Sequence, residues 1–371
     1  MPRMVDGPDS RSLGRTARET FNFSSGPAVL PDEVLQRARE ALLDLDGSGI
    51  GILEHSHRGA EFGRVLERTE AEIREVGGID DTYAILFVTA GATHHFTMVP
   101  QSFLREDEAA DYCHTGIWSG KAIEEARRFG AVHVACSGEP DFVAVPTDMT
   151  WSAAPRYVHY TSNETIYGTQ WAAPPIAPAP LVCDASSDLF SRPLALANHA
   201  LIYAGAQKNL GPSGISLVIA RRDFIETGRR DLPALSQYRT YANEHSMHNT
   251  PNTFGVYMIG EVVAWIRDQG GLAAMAERNA RKAAVLYDFL DQSKLWRGHA
   301  RPGSRSLMNI TFRGATRQLE EAMLERAEER GMSNLRGHRS VGGLRASIYN
   351  AFPEEGVHRL VQLLDEVERG A

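Results

Sequence analysis

Short apolar runs alternate with amphipathic stretches along most of this chain, and that alternation limits the folds open to it more than any other feature. Tyr83 to Val88, Tyr157 to Tyr160, Pro180 to Cys183, Leu201 to Ala204 and Ile215 to Ala220 read as buried strands. Asp32 to Leu45 and Glu61 to Val76 carry apolar residues at helical spacing, and Asp32 and Glu33, after Pro31, suit the positive end of a helix. Phe96 to Leu104 reads as a further helix. Strands alternating with helices predict an α/β fold with a mainly parallel sheet covered on both faces. In such sheets ligands collect beyond the carboxyl ends of the strands.

From Asn249 the pattern changes. Phe254 to Gln269 reads as a long helix stopped by Gly270-Gly271. A helix over Ala273 to Gln292, a strand over Leu307 to Phe312, a helix over Thr316 to Arg330, a strand over Gly343 to Ile348 and a helix over Glu354 to Arg369 follow. A length of 371 residues also favours one large and one small domain. The expected division is 1–20 as a disordered N-terminal extension rich in Arg, Asp, Gly, Ser and Pro, 21–31 as a segment joining the small domain, 32–268 as the large domain and 269–371 as the small C-terminal α/β domain.

Two segments carry the chemistry. Tyr203-Ala-Gly-Ala-Gln-Lys208-Asn-Leu-Gly-Pro-Ser-Gly delivers one lysine into a turn of small residues. A turn lysine pointing to water is the plain reading of that segment alone, because only burial makes a lysine reactive. Leu181-Val-Cys-Asp184-Ala-Ser-Ser187 is a short apolar strand ending in an acid. Asp184 alone would serve as a helix cap or turn residue. Together, a lysine and a carboxylate at strand ends match the needs of pyridoxal 5'-phosphate (PLP), whose aldehyde bonds a lysine and whose protonated ring nitrogen pairs with an acid.

With Phe21-Asn-Phe-Ser-Ser-Gly-Pro27, Ser56-His57-Arg58-Gly59, His159-Tyr-Thr-Ser-Asn-Glu-Thr165-Ile-Tyr-Gly168, Asn249-Thr250-Pro251 and Gly337-His338-Arg339-Ser-Val-Gly-Gly-Leu-Arg345 in order along the chain, the sequence resembles the phosphoserine aminotransferase family. These are class V, PLP fold-type I enzymes, which implies a large domain with a seven-stranded type of sheet. The resemblance implies Lys208 as the Schiff-base lysine and proton shuttle, with Asp184 as the partner of the ring nitrogen. It further implies Trp118 stacking on the ring, Thr165 at its phenolic oxygen, and Ala92, Thr93 and Gln207 at the phosphate. Asn249 and Thr250 would reach the phosphate of a neighbouring subunit, making a homodimer with shared sites. Arg345 would hold the α-carboxylate, and His57, Arg58, His338 and Arg339 the distal phosphate of phosphoserine or the side-chain carboxylate of glutamate. The implied reaction is reversible transamination between O-phospho-L-serine with 2-oxoglutarate and 3-phosphohydroxypyruvate with L-glutamate, in L-serine biosynthesis.

Departures from the family pattern leave a second reading open, an aminotransferase of specialised metabolism acting on a related anionic amino acid. Ala90 stands where the family has glycine, His95 where it has glutamine, and Asn252 where it often has proline. His95 is expected to alter hydrogen bonding near the cofactor phosphate or substrate pocket, and Asn252 to loosen the loop that crosses the dimer. Adjacent His94 and His95 point apart on a helix, so no metal site is expected. A lyase or desulfurase would need a cysteine on a mobile Gly/Ser loop, and Cys113, Cys136 and Cys183 do not offer one. They also form no disulfide framework, which suits a cytoplasmic protein. A formal charge of -8 argues against nucleic acid, and no run has the length of a membrane span.

Overall fold

The computed structural model describes residues 20–370. The expected extension lies outside the described residues except for Thr20. Seven strands form the central sheet: β1 (Tyr83–Val88), β2 (Ala109–His114), β3 (Ala131–Ser137), β4 (Val158–Thr161), β5 (Leu181–Asp184), β6 (His199–Gly205) and β7 (Ser216–Arg221). Their order across the sheet is β1-β7-β6-β5-β4-β2-β3. Strands β2 to β6 are parallel neighbours. Only β7 is reversed, antiparallel to both β1 and β6. The sheet is thus mainly parallel, as the alternation of elements implies.

Period-two alternation decides which side chain covers which face. Tyr83, Ile85 and Phe87 of β1 join one core beneath helices Asp32–Leu43, Ala60–Gly77 and Thr253–Asp268. Ala84, Leu86 and Val88 join the other, beneath Ala92–Phe103 and Ile117–Ala126. Every residue of β1 is therefore buried. Strands β2 and β3 went unrecognised in the sequence because Asp111, His114 and His133 interrupt their apolar character. Asp111 is buried and accepts hydrogen bonds from the Ser152 amide (2.9 Å) and hydroxyl (2.6 Å).

A third core lies around a sheet of Trp296–Gly298, Asn309–Gly314 and Leu344–Ser347. Phe21 and Phe23 pack into it, and Phe21–Asn22 pairs in parallel with Met332–Ser333. Helix Gly271–Gln292 serves both parts: Leu272 and Met275 face the large core, whereas Ala283, Leu286 and Leu290 face the small one. No described helix is long and apolar enough to cross a membrane.

Candidate active site

Strands β6 and β7 are antiparallel neighbours, so the segment between them must reverse, and Lys208 rides on that reversal. Ala206 donates its amide to Ile215 O (3.0 Å), and the Ala206 carbonyl accepts from the amides of Leu210 (3.0 Å) and Gly211 (2.8 Å). Gly26 lies over the lysine: a Cβ there would stand 3.4 Å from Lys208 Cγ, and its φ of +139° favours glycine. Burial lowers the proton affinity of the Lys208 amine, opposed by the carboxylates of Asp184 and Glu164. An amine that gives up its proton readily can act as nucleophile and as base.

Asp184 ends β5, paired across the sheet with Thr161 of β4 and Tyr203 of β6. One carboxylate oxygen, Oδ1, accepts from the Ser186 amide (3.0 Å) and hydroxyl (2.5 Å), while Ser186 Oγ accepts from Gly205 N (3.1 Å). Burial raises the Asp184 proton affinity, and Lys208 and Ser186 pull it back down. The carboxyl is thus desolvated but held toward its ionised form by fixed donors.

These residues line a cavity of about 210 Å³ beyond the carboxyl ends of β1, β2, β4, β5 and β6. Ala92, Thr93, Trp118, Thr165, Asp184, Gln207, Lys208, His338 and Arg345 all meet there. Trp118, in the first turn of helix Ile117–Ala126, donates from Nε1 to Thr165 Oγ1 at 2.9 Å. Arg345 donates from Nη1 to Thr165 O (3.1 Å) and from Nη2 to Ser25 Oγ (2.8 Å). Its Nε is buried without a partner. A desolvated guanidinium N–H with nothing to bond is a ready donor for an incoming carboxylate.

Other expected residues lie elsewhere. Arg58, Asn249 and Thr250 are exposed, His57 is half-buried, and none of the four lines this cavity. Arg339 is also exposed and faces a separate groove with Arg313, Arg317 and Arg336. His95 corrects an expectation. It is fully buried outside the cavity, with Nδ1 2.8 Å from Tyr238 Oη and Nε2 2.7 Å from Ser216 Oγ. Asn252 does the opposite of loosening its segment, capping helix Thr253–Asp268 by accepting from Gly255 N at 2.8 Å. His94 and His95 point apart, one exposed and one buried, and the described residues hold no metal-binding cluster.

Sequence reasoning assigned no role to Ser25, Gly26 or Ser186, which also line the cavity. Gly26-Pro27 was a visible turn signal, and the spacing of Asp184 and Ser186 is that of a side-chain turn.

The donor set fits PLP. Helix Ala92–Phe103 starts at Gly91 without a side-chain cap, leaving its first amides for an anion. Gly205 keeps that cradle open, since a Cβ there would lie 3.2 Å from Ala92 N and 2.7 Å from Gln207 Oε1. The same cavity also holds the buried Asp184 carboxyl, the Trp118 ring and the Lys208 amine.

A model of the family described as aminotransferase class-V matches residues 20–360. The phosphoserine aminotransferase of Herpetosiphon aurantiacus is 48% identical over 349 residues, covering 93% of this chain and 97% of that protein. A solved phosphoserine aminotransferase from Bacillus circulans subsp. alkalophilus superposes with a TM-score of 0.92 at 44% identity, covering 95% of this chain and 99% of the other. The PLP-bound phosphoserine aminotransferase of Trichomonas vaginalis gives a TM-score of 0.89 at 35% identity, with 93% and 99% covered.

Proposed function

The chain belongs to the class-V aminotransferases, and on that premise we propose a division of labour among its residues in the reversible exchange of an amino group between O-phospho-L-serine and 2-oxoglutarate, a step of L-serine synthesis. The cofactor is PLP. Bound in the cavity, it supplies an electron sink that labilises the Cα proton of the amino acid. Lys208 would take that proton from Cα and return it to the carbon on the far side of the amino nitrogen, a 1,3 shift, and its burial keeps the amine fit for the task. Asp184 would hold a proton on the ring nitrogen. The Trp118 face would fix the ring plane, Thr165 would meet the phenolic oxygen, and the Ala92–Thr93 amides with Gln207 would take the phosphate. Arg345 would grip the α-carboxylate and His338, which lines the same cavity, would meet the distal anion, with Arg339 swinging in from the adjoining groove to join it.

One observation carries this reading: Lys208 and Asp184, 24 residues apart in sequence, meet in one cavity with the uncapped start of helix Ala92–Phe103. Two subunits share each site. That proposal is supported by His57, Arg58, Asn249 and Thr250, which match family positions yet stand outside the cavity of their own chain. We take 32–268 as the large domain, with a core on each face of its sheet, and 269–371 with 21–31 as the small one, built around the third core.

The PLP-loaded protein should change its visible absorbance on adding phosphoserine and recover it on adding 2-oxoglutarate, with serine and aspartate far less effective. Equal turnover of aspartate and phosphoserine would favour the specialised enzyme instead. For the dimer, mixing inactive Lys208→Ala with inactive Arg58→Ala subunits should restore activity, because half of the hybrid sites are intact. No recovery despite subunit exchange would refute shared sites.

A further inference from the structure

At the start of the helix that carries Trp118 lies a carboxylic acid with no part in the reaction described above. Glu164 is 1% exposed. Its Oε1 accepts from Ser119 N at 3.1 Å and stands 3.2 Å from Ser119 Oγ, and its Oε2 lies 3.5 Å from Trp118 N. The two amides belong to the first turn of helix Ile117–Ala126. That turn begins at Gly116, where an added Cβ would fall 2.5 Å from Glu164 Cδ and 2.7 Å from Oε2. The backbone therefore comes close to the carboxyl only because residue 116 has no side chain.

The next residue extends the contact on both sides. Thr165 accepts from Trp118 Nε1 through its hydroxyl and from Arg345 Nη1 through its carbonyl. Glu164-Thr165 thus touches the Trp118 helix at its backbone and its indole, and touches the arginine of the small sheet as well. Resting on the reading of the cavity as a PLP site, we propose that Glu164 is a positioning residue. Its buried carboxyl clamps the helix start that carries Trp118, and so fixes the indole face against which the cofactor ring lies.

A carboxyl in this place is expensive, which argues against a mere space-filler. Burial pushes Glu164 up to about 7, against the pull of the Ser119 and Trp118 amides, and Asp184 adds to the rise. Lys208 and Tyr167 are the other titratable groups whose charges it feels. An apolar side chain of similar size would avoid the cost but leave two helix amides without an acceptor.

The test is a double-mutant cycle read in PLP affinity of the apoprotein, followed by tryptophan fluorescence, with hydrogen exchange at 116–120 as an independent readout. Glu164→Gln keeps the volume and one acceptor, so it should fold. It should weaken PLP binding about tenfold and speed exchange at 116–120 while leaving 354–369 unchanged. The same substitution placed on Trp118→Phe should weaken PLP binding no further, because the clamp acts through the indole. Additive losses, or unchanged exchange at 116–120 in Glu164→Gln, would overturn the clamp. Failure of the unaltered protein to bind PLP would instead refute the cofactor reading, and the exchange result would still judge the contact itself.

Discussion

Lys208 Nζ stands 5.4 Å from the centroid of the Trp118 ring. A lysine from the β6–β7 reversal and an indole from the helix after β2 therefore face each other across the cavity, and that pairing needs β5 and β4, the two strands between β6 and β2, to be in register.

Lys208→Ala removes both the covalent anchor of PLP and the proton carrier. The variant should still bind PLP through the Ala92 cradle but lack the yellow absorbance of the lysine-bound form. Transamination should drop by roughly 10³-fold or more. Single-turnover absorbance measurements decide it, and turnover near that of the unaltered protein would sink the assignment.

Asp184→Asn should fold normally, since an amide oxygen can still accept from Ser186. A neutral group cannot hold the ring nitrogen protonated, so the rate of the proton shift should fall far more than PLP affinity does. Full single-turnover rates would reduce Asp184 to a turn residue.

Arg345→Ala should weaken phosphoserine and glutamate alike, by tens- to thousands-fold in kcat/KM, as expected from about 2–5 kcal/mol for a desolvated charged contact. Arg339→Ala should harm phosphoserine more than glutamate, because the distal phosphate carries the greater charge. Equal losses for both substrates in Arg339→Ala would place the phosphate elsewhere.

Acid should unfold this protein partly through two buried imidazoles. Burial depresses His95 and His159 to about 3, well below the ordinary histidine value of 6.5. Between pH 3 and 6.5 the unfolded chain thus binds protons that the folded chain refuses, and stability falls as pH drops through that window. The slope is up to about 1.4 kcal/mol per pH unit for each ring. His95→Gln, still able to meet Tyr238 and Ser216, should unfold in urea with a shallower pH dependence between 4 and 6. An unchanged slope would mean that His95 is protonated in the folded state.

A second buried lysine has a structural task. Lys282 Nζ donates to Tyr349 O (2.6 Å) and Ile348 O (2.9 Å), with Phe352 O at 3.3 Å and Asn350 O at 3.5 Å. Asn350 N in turn donates to Asn209 Oδ1 at 3.1 Å, beside Lys208. Lys282→Met would strip those carbonyls of their donor and should cost roughly 3 kcal/mol of stability. A melting temperature within a degree of the original would contradict this.

Much of the site was legible in the sequence because it is built at strand ends, where an apolar run gives way to a polar residue. Asp184 and Lys208 stand out for that reason, and Thr165 follows a strand in the same way. His95 misled because residue type cannot tell a pocket histidine from a core one. Its partners, Ser216 and Tyr238, come from β7 and the segment beyond it. Helix Ala92–Phe103 begins four residues before the expected Phe96, since Ala92, Thr93 and His94 show no apolar period, yet those first amides form the phosphate cradle. Glu164 was hidden by its company, as its meaning depends on how closely Gly116 approaches.

The reversal of β7 sets an order of assembly. Strands β6 and β7 are joined by the short segment 206–215, so they can zip together as a local hairpin with little loop-closure cost. Among the described residues strand β1 pairs only with β7, Tyr83 meeting Arg221 across most of the large domain. During synthesis β1 thus leaves the ribosome long before its one neighbour exists, and its apolar run needs shelter for that interval. The lysine-bearing hairpin is the late, fast element that closes the sheet, and the earliest strand of the sheet is the one most exposed to misassembly.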